Sequence, residues 1–246
     1  MELSSNTVLI TGGASGIGLA LAERFLSAGS EVIVCGRREE KLREAKERLP
    51  RLETRICDVA SESQRIGLIE WAAGAFPRWN VLVNNAGIQL RPRLVDPAQW
   101  ESVRGEIAIN FEAPVHLSML SIPHLRSRGR AAIVNVTSGL AFAPMARVPI
   151  YSATKAALHS FTLSLRHALR ETPIRVVEII PPAVDTDLGG PGLHTSGVSV
   201  SELLDAVLPR VEAGELEVAY GFGQQTSRAS RQELDRLSQR LNASDH

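Results

Sequence analysis

A chain of 246 residues, 44% of them hydrophobic, suits one large α/β domain with a sizeable core, although length alone would also allow two small domains. Its 27 basic and 27 acidic residues cancel, so no net charge draws it to nucleic acid or to an anionic membrane surface. The N-terminus lacks the basic and apolar regions of a signal peptide, and no apolar run nears the roughly 18 residues of a membrane span, which predicts a cytoplasmic protein.

Thr7-Val8-Leu9-Ile10 reads as a short strand, and Thr11-Gly12-Gly13-Ala14-Ser15-Gly16-Ile17-Gly18 follows it directly. A helical pattern then places Leu19, Leu21, Ala22, Phe25 and Leu26 toward a core and stops at Gly29. Strand, glycine-rich turn and helix in that order suit a dinucleotide. Glycines let the backbone approach a pyrophosphate, and the helix start offers free N–H groups with a positive dipole end. An ordinary βα turn is the plain alternative.

Glu31-Val32-Ile33-Val34-Cys35 is the second strand. Domains that bind NAD commonly end this strand with an acid that bonds the ribose 2′-hydroxyl, yet Cys35, Gly36 and Arg37 include none. Arg37 is placed to meet a 2′-phosphate through a bidentate guanidinium, which predicts NADP(H) over NAD(H). The lesser alternative is a solvated residue that starts the polar helix 39–49. A third strand leads from 52–56 into Cys57-Asp58-Val59, where Asp58 could accept a bond from an adenine amino group or cap the helix 61–75. Cys35 and Cys57 both fall in buried-strand runs and read as small core residues of a reducing compartment, without a disulfide or metal role.

Val81-Leu82-Val83 is a continuous apolar run, the mark of a strand covered on both faces, and it ends in Asn84-Asn85-Ala86-Gly87. Residues 100–120 read as one long helix with Asn110 in its middle, where an asparagine can disturb the ladder in favour of side-chain bonding or water. Taken alone, it is a polar core residue. Ala131-Ala132-Ile133-Val134-Asn135-Val136 is another buried strand, terminating at Thr137-Ser138-Gly139.

A loop over 140–149 leads to a helix running from Tyr151 to about residue 172, with Leu158, Phe161, Leu165 and Leu169 on a core or subunit-packing face. Tyr151 and Lys155 are four apart, hence one above the other on one helical face. An ammonium beside a phenol favours the phenolate. Bringing a tyrosine from about 10 to near 7 needs roughly 4 kcal/mol, within reach of a buried lysine helped by the positive charge of a nicotinamide ring. A solvated Tyr–Lys pair is the bland alternative.

The sixth strand, 175–180, ends in Pro181-Pro182-Ala183-Val184-Asp185-Thr186. A stretch near 186–200, rich in Gly, Ser and Thr, has the character of a mobile substrate loop. A helix over 200–213 and a short strand over 216–220 follow. An amphipathic helix near 227–242 carries Leu234, Leu237 and Leu241 on one face for a neighbouring surface or a second subunit. None of the six histidines has convincing metal-ligand spacing, no linker divides the chain, and residues 1–246 are expected to form one domain.

In this order and spacing, the glycine turn 11–18, Asn84-Asn85-Ala86-Gly87, Asn110, Ser138 and Tyr151-x-x-x-Lys155 resemble the short-chain dehydrogenase/reductase family over nearly the whole chain. The wording of 179–188 and of Thr137-Ser138-Gly139-Leu140-Ala141-Phe142 is further similar to its DltE-type branch. The resemblance implies a single-domain α/β fold, a Rossmann-type doubly wound parallel sheet of about seven strands with helices on both faces. It also implies a homodimer or homotetramer acting on a small carbonyl or alcohol.

In that family Tyr151 would be the general acid/base, Ser138 would hold the substrate oxygen, and Lys155 would lower the tyrosine and bond the nicotinamide ribose. Asn110 would position a water joining Lys155 to solvent. Gly12, Gly16 and Gly18 would shape the coenzyme turn, with Ser15 and Ile17 meeting the phosphates. Asp58 and Val59 would flank the adenine, Asn85, Ala86 and Gly87 the ribose, and Val184 and Thr186 would hold the carboxamide. Tyr151 and Lys155 count among the coenzyme contacts too, and no metal is required. Ile88, Gln89, Leu140, Phe142 and Leu188 are candidate pocket residues.

One departure is Pro181-Pro182, where the family usually has Pro-Gly; proline removes an N–H that glycine would offer. Two other readings compete with an NADP(H)-dependent oxidoreductase. A dinucleotide-binding regulator that had lost the chemistry should lack a catalytic group, and this chain has all four. An extended-branch epimerase or dehydratase needs a longer C-terminal substrate domain and a different glycine spacing.

Overall fold

Short runs of β-branched and small apolar residues pair side by side into one sheet in the computed structural model, which describes residues 1–243. The strands are β1 (Thr7–Thr11), β2 (Glu31–Gly36), β3 (Glu53–Ile56), β4 (Val81–Asn84), β5 (Ala131–Val136), β6 (Ile174–Ile180) and β7 (Glu217–Ala219). Their order is β3-β2-β1-β4-β5-β6-β7, and every pairing is parallel, as the doubly wound expectation requires. The connecting helices are α1 (Gly16–Ser27), α2 (Glu39–Arg48), α3 (Glu62–Ala75), α4 (Trp100–Ile107), α5 (Ala113–Arg126), α6 (Pro149–Ala168), α7 (Val200–Glu212), α8 (Gly221–Ser227) and α9 (Arg231–Asn242). Because the strand order reverses between β1 and β4, a crevice opens beyond their carboxyl ends, the place where ligands bind in such sheets.

Alternate strand residues feed two cores. Val8, Ile10, Val32, Val34, Val81, Val83 and Val134 pack with α1 and α7 on one face. Leu9, Ile33, Leu82, Ile133 and Val176 pack with α3, α5 and α6 on the other. Burial on both faces explains why the central strands read as unbroken apolar runs. The exceptions are asparagines: Asn84 Nδ2 donates to Asn135 Oδ1 (2.9 Å), and Asn135 Nδ2 to Thr162 Oγ1 (2.8 Å), joining β4, β5 and α6 beneath the crevice. Cys35 and Cys57 are free and buried. No helix among the described residues is long and apolar enough to cross a membrane.

Four expectations are corrected. The third strand stops at Ile56, because β2 ends opposite it at Gly36, so Cys57 lies just beyond the strand. The expected helix 100–120 is two helices joined by a π turn over Ala108–Glu112, and it continues to Arg126. The helix carrying Tyr151 ends at Ala168, not near 172, with Leu169 as its C-cap. Pro173 disfavours helical backbone at Thr172, whose N–H and hydroxyl instead both return to the Leu169 carbonyl.

Finally, α8 precedes α9 where one C-terminal helix was expected; the glycines at 221 and 223 hide it, since glycine is a poor helix former. The α9 side chains Ser238 and Asn242 bond the Pro144 carbonyl, which seats the helix on the loop before α6. Ser244, Asp245 and His246, the last three residues of the expected domain, lie outside the described residues.

Two glycines should respond to alanine with opposite signs. Gly223 packs so close to the Ile180 carbonyl that an added Cβ would collide with backbone. Gly223→Ala should lower stability by about 1–3 kcal/mol in urea unfolding. Gly67, in α3, has nothing within 4 Å of the added carbon, so Gly67→Ala should raise stability by about 0.5–1 kcal/mol. Equal shifts for both would contradict the packing described.

Candidate functional site

The glycine turn is pinned from two sides. Gly12 N–H and Gly13 N–H both donate to the Cys35 carbonyl of β2, at 2.9 and 3.3 Å. Across the crevice, Thr11 Oγ1 accepts the N–H groups of Asn85 and Ala86, each at 3.1 Å. The Asn85 side-chain amide donates back to the carbonyls of Thr11 (3.0 Å) and Gly12 (3.2 Å), so it serves the turn itself. Gly12 takes a positive φ of 64° and Gly16 of 54°, backbone that glycine tolerates without strain.

Ser15, the N-cap of α1, makes no capping bond with its side chain, and the first helical turn carries no acid. The N–H groups of Gly16, Ile17 and Gly18 thus remain donors for an anionic group, which fits a dinucleotide pyrophosphate. The loop after β6 closes the far side: Thr186 Cγ2 lies 3.3 Å from the Cβ position of Gly16, and Val184, buried, bridges to Val198.

At the edge of the crevice, Arg37 is exposed just past β2. Its neighbour Arg38 is the one that reaches the turn, at 3.5 Å from Ser15 Oγ. Val59 is buried beside Asp58. Asp58 does not cap α3; Ser61 does, accepting from Gln64 N, while Asp58 Oδ1 accepts Ala60 N–H in a tight turn. Arg65 holds this segment through the carbonyls of Val59 and Ala60, and its buried guanidinium also meets His116 Nδ1 and Glu112.

Tyr151, Lys155, Ser138 and Asn110 converge from α6, the end of β5 and the π turn, and each is at least nine-tenths buried. Lys155 Nζ donates to the Val136 carbonyl at 2.8 Å and stands 5.6 Å from the Tyr151 ring centroid. Ser138 Oγ accepts the Leu140 N–H at 3.1 Å, which leaves its own hydrogen for another oxygen. A Cβ on Gly87 would stand 3.4 Å from Asn110 Oδ1 and 3.8 Å from Lys155 Nζ, so this glycine lies directly over both.

The Asn110 side chain is engaged with the segment that follows Gly87. Its Oδ1 accepts Ile88 N–H (2.9 Å), while Nδ2 donates to the Ile88 carbonyl (2.8 Å) and to Thr154 Oγ1 (3.3 Å). This two-point clamp occupies the amide on Ile88, which leaves the backbone carbonyl of Asn110 to be considered for a relay water. The backbone carbonyl is the better acceptor, because four residues on stands Pro114, which has no N–H to give it.

Burial dominates the electrostatics of the Tyr151–Lys155 pair. Burial pushes the Tyr151 phenol up to about 12; the Ser138 hydroxyl pulls it back, and Glu106 adds to the rise. The Lys155 ammonium, which donates to the Val136 carbonyl, is itself brought down to about 8 by burial.

Two buried carboxylates were missed in the sequence. Glu106, on α4 one turn before Asn110, is fully buried; its Oε1 accepts Leu90 N–H at 3.1 Å, and its Oε2 has no partner. Glu178, inside β6, accepts from Thr137 Oγ1 (2.7 Å) and His159 Nδ1 (3.0 Å). A charged letter within an apolar strand run was the available signal for Glu178; Glu106 offered none.

Among the candidate pocket residues, Gln89 is buried and tied to the 186–200 loop through His194 (3.2 Å). Phe142 packs edge-on against His159 at 4.6 Å. Ile88, Leu140 and Leu188 are half-buried. A cavity of about 530 Å³ between α8 and α9 is lined by none of these candidates. No cluster of three or more metal-binding side chains occurs among the described residues.

Comparison with known proteins gives a consistent result. A family model described as short chain dehydrogenase matches residues 6–195. The chain is similar to the uncharacterized oxidoreductase DltE of Bacillus subtilis (strain 168), at 49% identity over all of both chains. It is also 38% identical to sulfoacetaldehyde reductase 2 of Chromohalobacter salexigens, over 74% of each chain. The fold superimposes on a short chain dehydrogenase from Burkholderia cenocepacia J2315 in complex with NADP with a TM-score of 0.83, at 28% identity over 96% of this chain and 99% of that one.

The buried Glu106 makes stability depend on pH. Burial raises its carboxyl from 4.5 to about 7. A carboxyl raised by folding leaves the folded state holding the extra proton, so stability falls as pH climbs from 4.5 to about 7 and levels off above. Glu106→Gln keeps an acceptor for Leu90 and removes the ionisation. Its gain over wild type in urea unfolding should be small at pH 5 and reach about 2–3 kcal/mol at pH 8; a gain independent of pH would contradict the assignment.

Proposed function

The chain belongs to the short-chain dehydrogenase family, and on that premise we propose that it is an NADP(H)-dependent oxidoreductase that interconverts a small carbonyl compound and its alcohol. The observation that carries this reading is the convergence of Tyr151, Ser138 and Lys155 in one buried patch beside the uncapped start of α1. When bound, the coenzyme supplies or accepts the hydride. Ile17 and Ser15 meet its phosphates, Asp58 and Val59 its adenine, and Asn85, Ala86 and Gly87 its adenosine ribose. Val184 and Thr186 face the carboxamide, and Lys155 the nicotinamide ribose.

Tyr151 gives its hydroxyl proton to the substrate oxygen in reduction and takes it back in oxidation. Ser138, already fixed by Leu140 N–H, turns its hydrogen toward that same oxygen and stabilises the charge developing there. Lys155 lies close enough to the Tyr151 ring to favour the phenolate as it forms, and the Asn110 carbonyl is the acceptor for a water that returns protons to Lys155. The substrate end is bounded by Ile88, Leu140, Phe142 and Leu188, with the 186–200 loop over it, which suits a partly apolar molecule. The Chromohalobacter relative, a sulfoacetaldehyde reductase by name, supports an aldehyde as substrate.

Preference for the phosphorylated coenzyme rests on the two guanidinium groups past β2. Arg37 is free to meet a 2′-phosphate, and Arg38 is already drawn to the turn at Ser15. The Burkholderia neighbour, seen with NADP, is in line with this.

Two measurements decide the reading. With an aldehyde found by screening, Tyr151→Phe should lower kcat by about 10²–10⁴ while NADPH binds almost unchanged; activity kept within tenfold would end the acid/base assignment. Arg37→Ala and Arg38→Ala should each reduce the NADPH-over-NADH preference about tenfold, measured as the ratio of dissociation constants. An unaltered ratio in both would remove the 2′-phosphate argument.

A further inference from the structure

Lys155 is a buried cation whose hydrogen-bond partner is a neutral carbonyl, that of Val136. A charge held in that way calls for an opposite charge nearby. The topology supplies one. Val136 and Thr137 are consecutive at the end of β5, and Thr137 Oγ1 donates to Glu178 Oε1 at 2.7 Å. One helical turn beyond Lys155 on α6, His159 Nδ1 stands 3.0 Å from both oxygens of the same carboxylate. The Glu178 side chain is 0% exposed and that of His159 20% exposed, so the imidazole covers the carboxylate on the solvent side. Glu178 is therefore held by the residue that follows the lysine's carbonyl partner and by a residue one turn along the lysine's own helix.

We propose that Glu178 is a positioning residue: the counter-charge that keeps Lys155 an ammonium in its buried place, with His159 as its cover. The proposal rests on the reading of Lys155 given above and assigns a role to a carboxylate which that reading does not use. No direct ion pair is involved; the influence acts through space inside a poorly screened interior, where it is stronger than in water.

Lys155 and His159 of α6 both feel Glu178; Glu217 of β7, paired with Glu178, and Arg166 of α6 act on His159 as well, and Thr137, just past β5, adds a hydroxyl. Arg166 is engaged with the carbonyls of Val176 and Leu216, toward the amino end of β6. Glu178 raises Lys155 against the effect of burial, in the direction the geometry requires. The same carboxylate raises His159, so a proton on the imidazole would divert part of the charge that supports the lysine. A purely mechanical tie between α6 and β6 would leave the titration of Lys155 untouched.

The sequence makes the test clean, because it contains three lysines, Lys41, Lys46 and Lys155. Protein labelled with ¹³Cε-lysine gives three signals, and Lys155→Arg identifies the one of interest. Its titration is then followed by NMR in the full chain without substrate. In Glu178→Gln the Lys155 midpoint should fall by about one pH unit, a tenfold change in its protonation equilibrium, whereas Glu178→Asp should retain most of the wild-type value.

His159→Arg places a fixed positive charge against Glu178 from the solvent side and should also lower the midpoint. That variant decides the matter alone if Glu178→Gln fails to fold. A midpoint unchanged in the folded variants overturns the proposal. The titration needs no turnover, so an active Tyr151→Phe enzyme would end the proposed reaction while leaving this result readable on its own.

Discussion

Taking the Lys155 ammonium out of water is the constraint on which the site depends. An ion in an apolar interior is tolerated only where polar groups are fixed around it, because each unpaired one would carry its own desolvation cost. The Val136 carbonyl is available since β5 ends there and the chain turns away at Ser138. The same end of the sheet gathers the Asn84–Asn135–Thr162 ladder beneath it. The carboxyl edge of the sheet is thus both where the backbone leaves acceptors unused and where charge can be buried.

The π turn is the second device of this kind. An uninterrupted helix over 100–126 would carry Asn110 round with its own ladder; the wide turn lets its amide close on Ile88 from both sides. Such turns frequently mark functional sites. Here the turn fixes the segment 87–90 over Lys155, and Glu106, one helical turn earlier, fixes Leu90 in the same segment. Arg65 ties Glu112, at the end of the turn, to the carbonyls after Asp58. One irregularity thereby links both halves of the crevice.

The central strands, the glycine turn and the Tyr151–Lys155 face were legible because each is encoded by local spacing. An apolar run, a glycine after a strand and two residues four apart need no knowledge of distant neighbours. What was not legible depends on tertiary partners. The end of β3 follows from where β2 ends, and α8 forms despite two glycines because it packs on β6. Glu106 looked like an ordinary helix letter and Glu178 was marked only as a charge within an apolar strand run; the fold shows both fully buried. Arg37 could be picked out by position, whereas the reach of Arg38 to Ser15 depends on the path of the chain into α2.

The 186–200 segment is held at its base by the Val184–Val198 bridge and by Thr186 against Gly16, and at its tip by contacts of Gly189 and His194 with Gln89. Glycines at 189, 190 and 192, all with positive φ, make up much of what lies between. Little of it takes part in the sheet. Beyond Thr186, length and composition there can change without disturbing the strands or the glycine turn. A fold arranged in this way can exchange the shape of one wall while its proton-handling groups stay in register, so related chains can diverge in what they accept and keep the same chemistry.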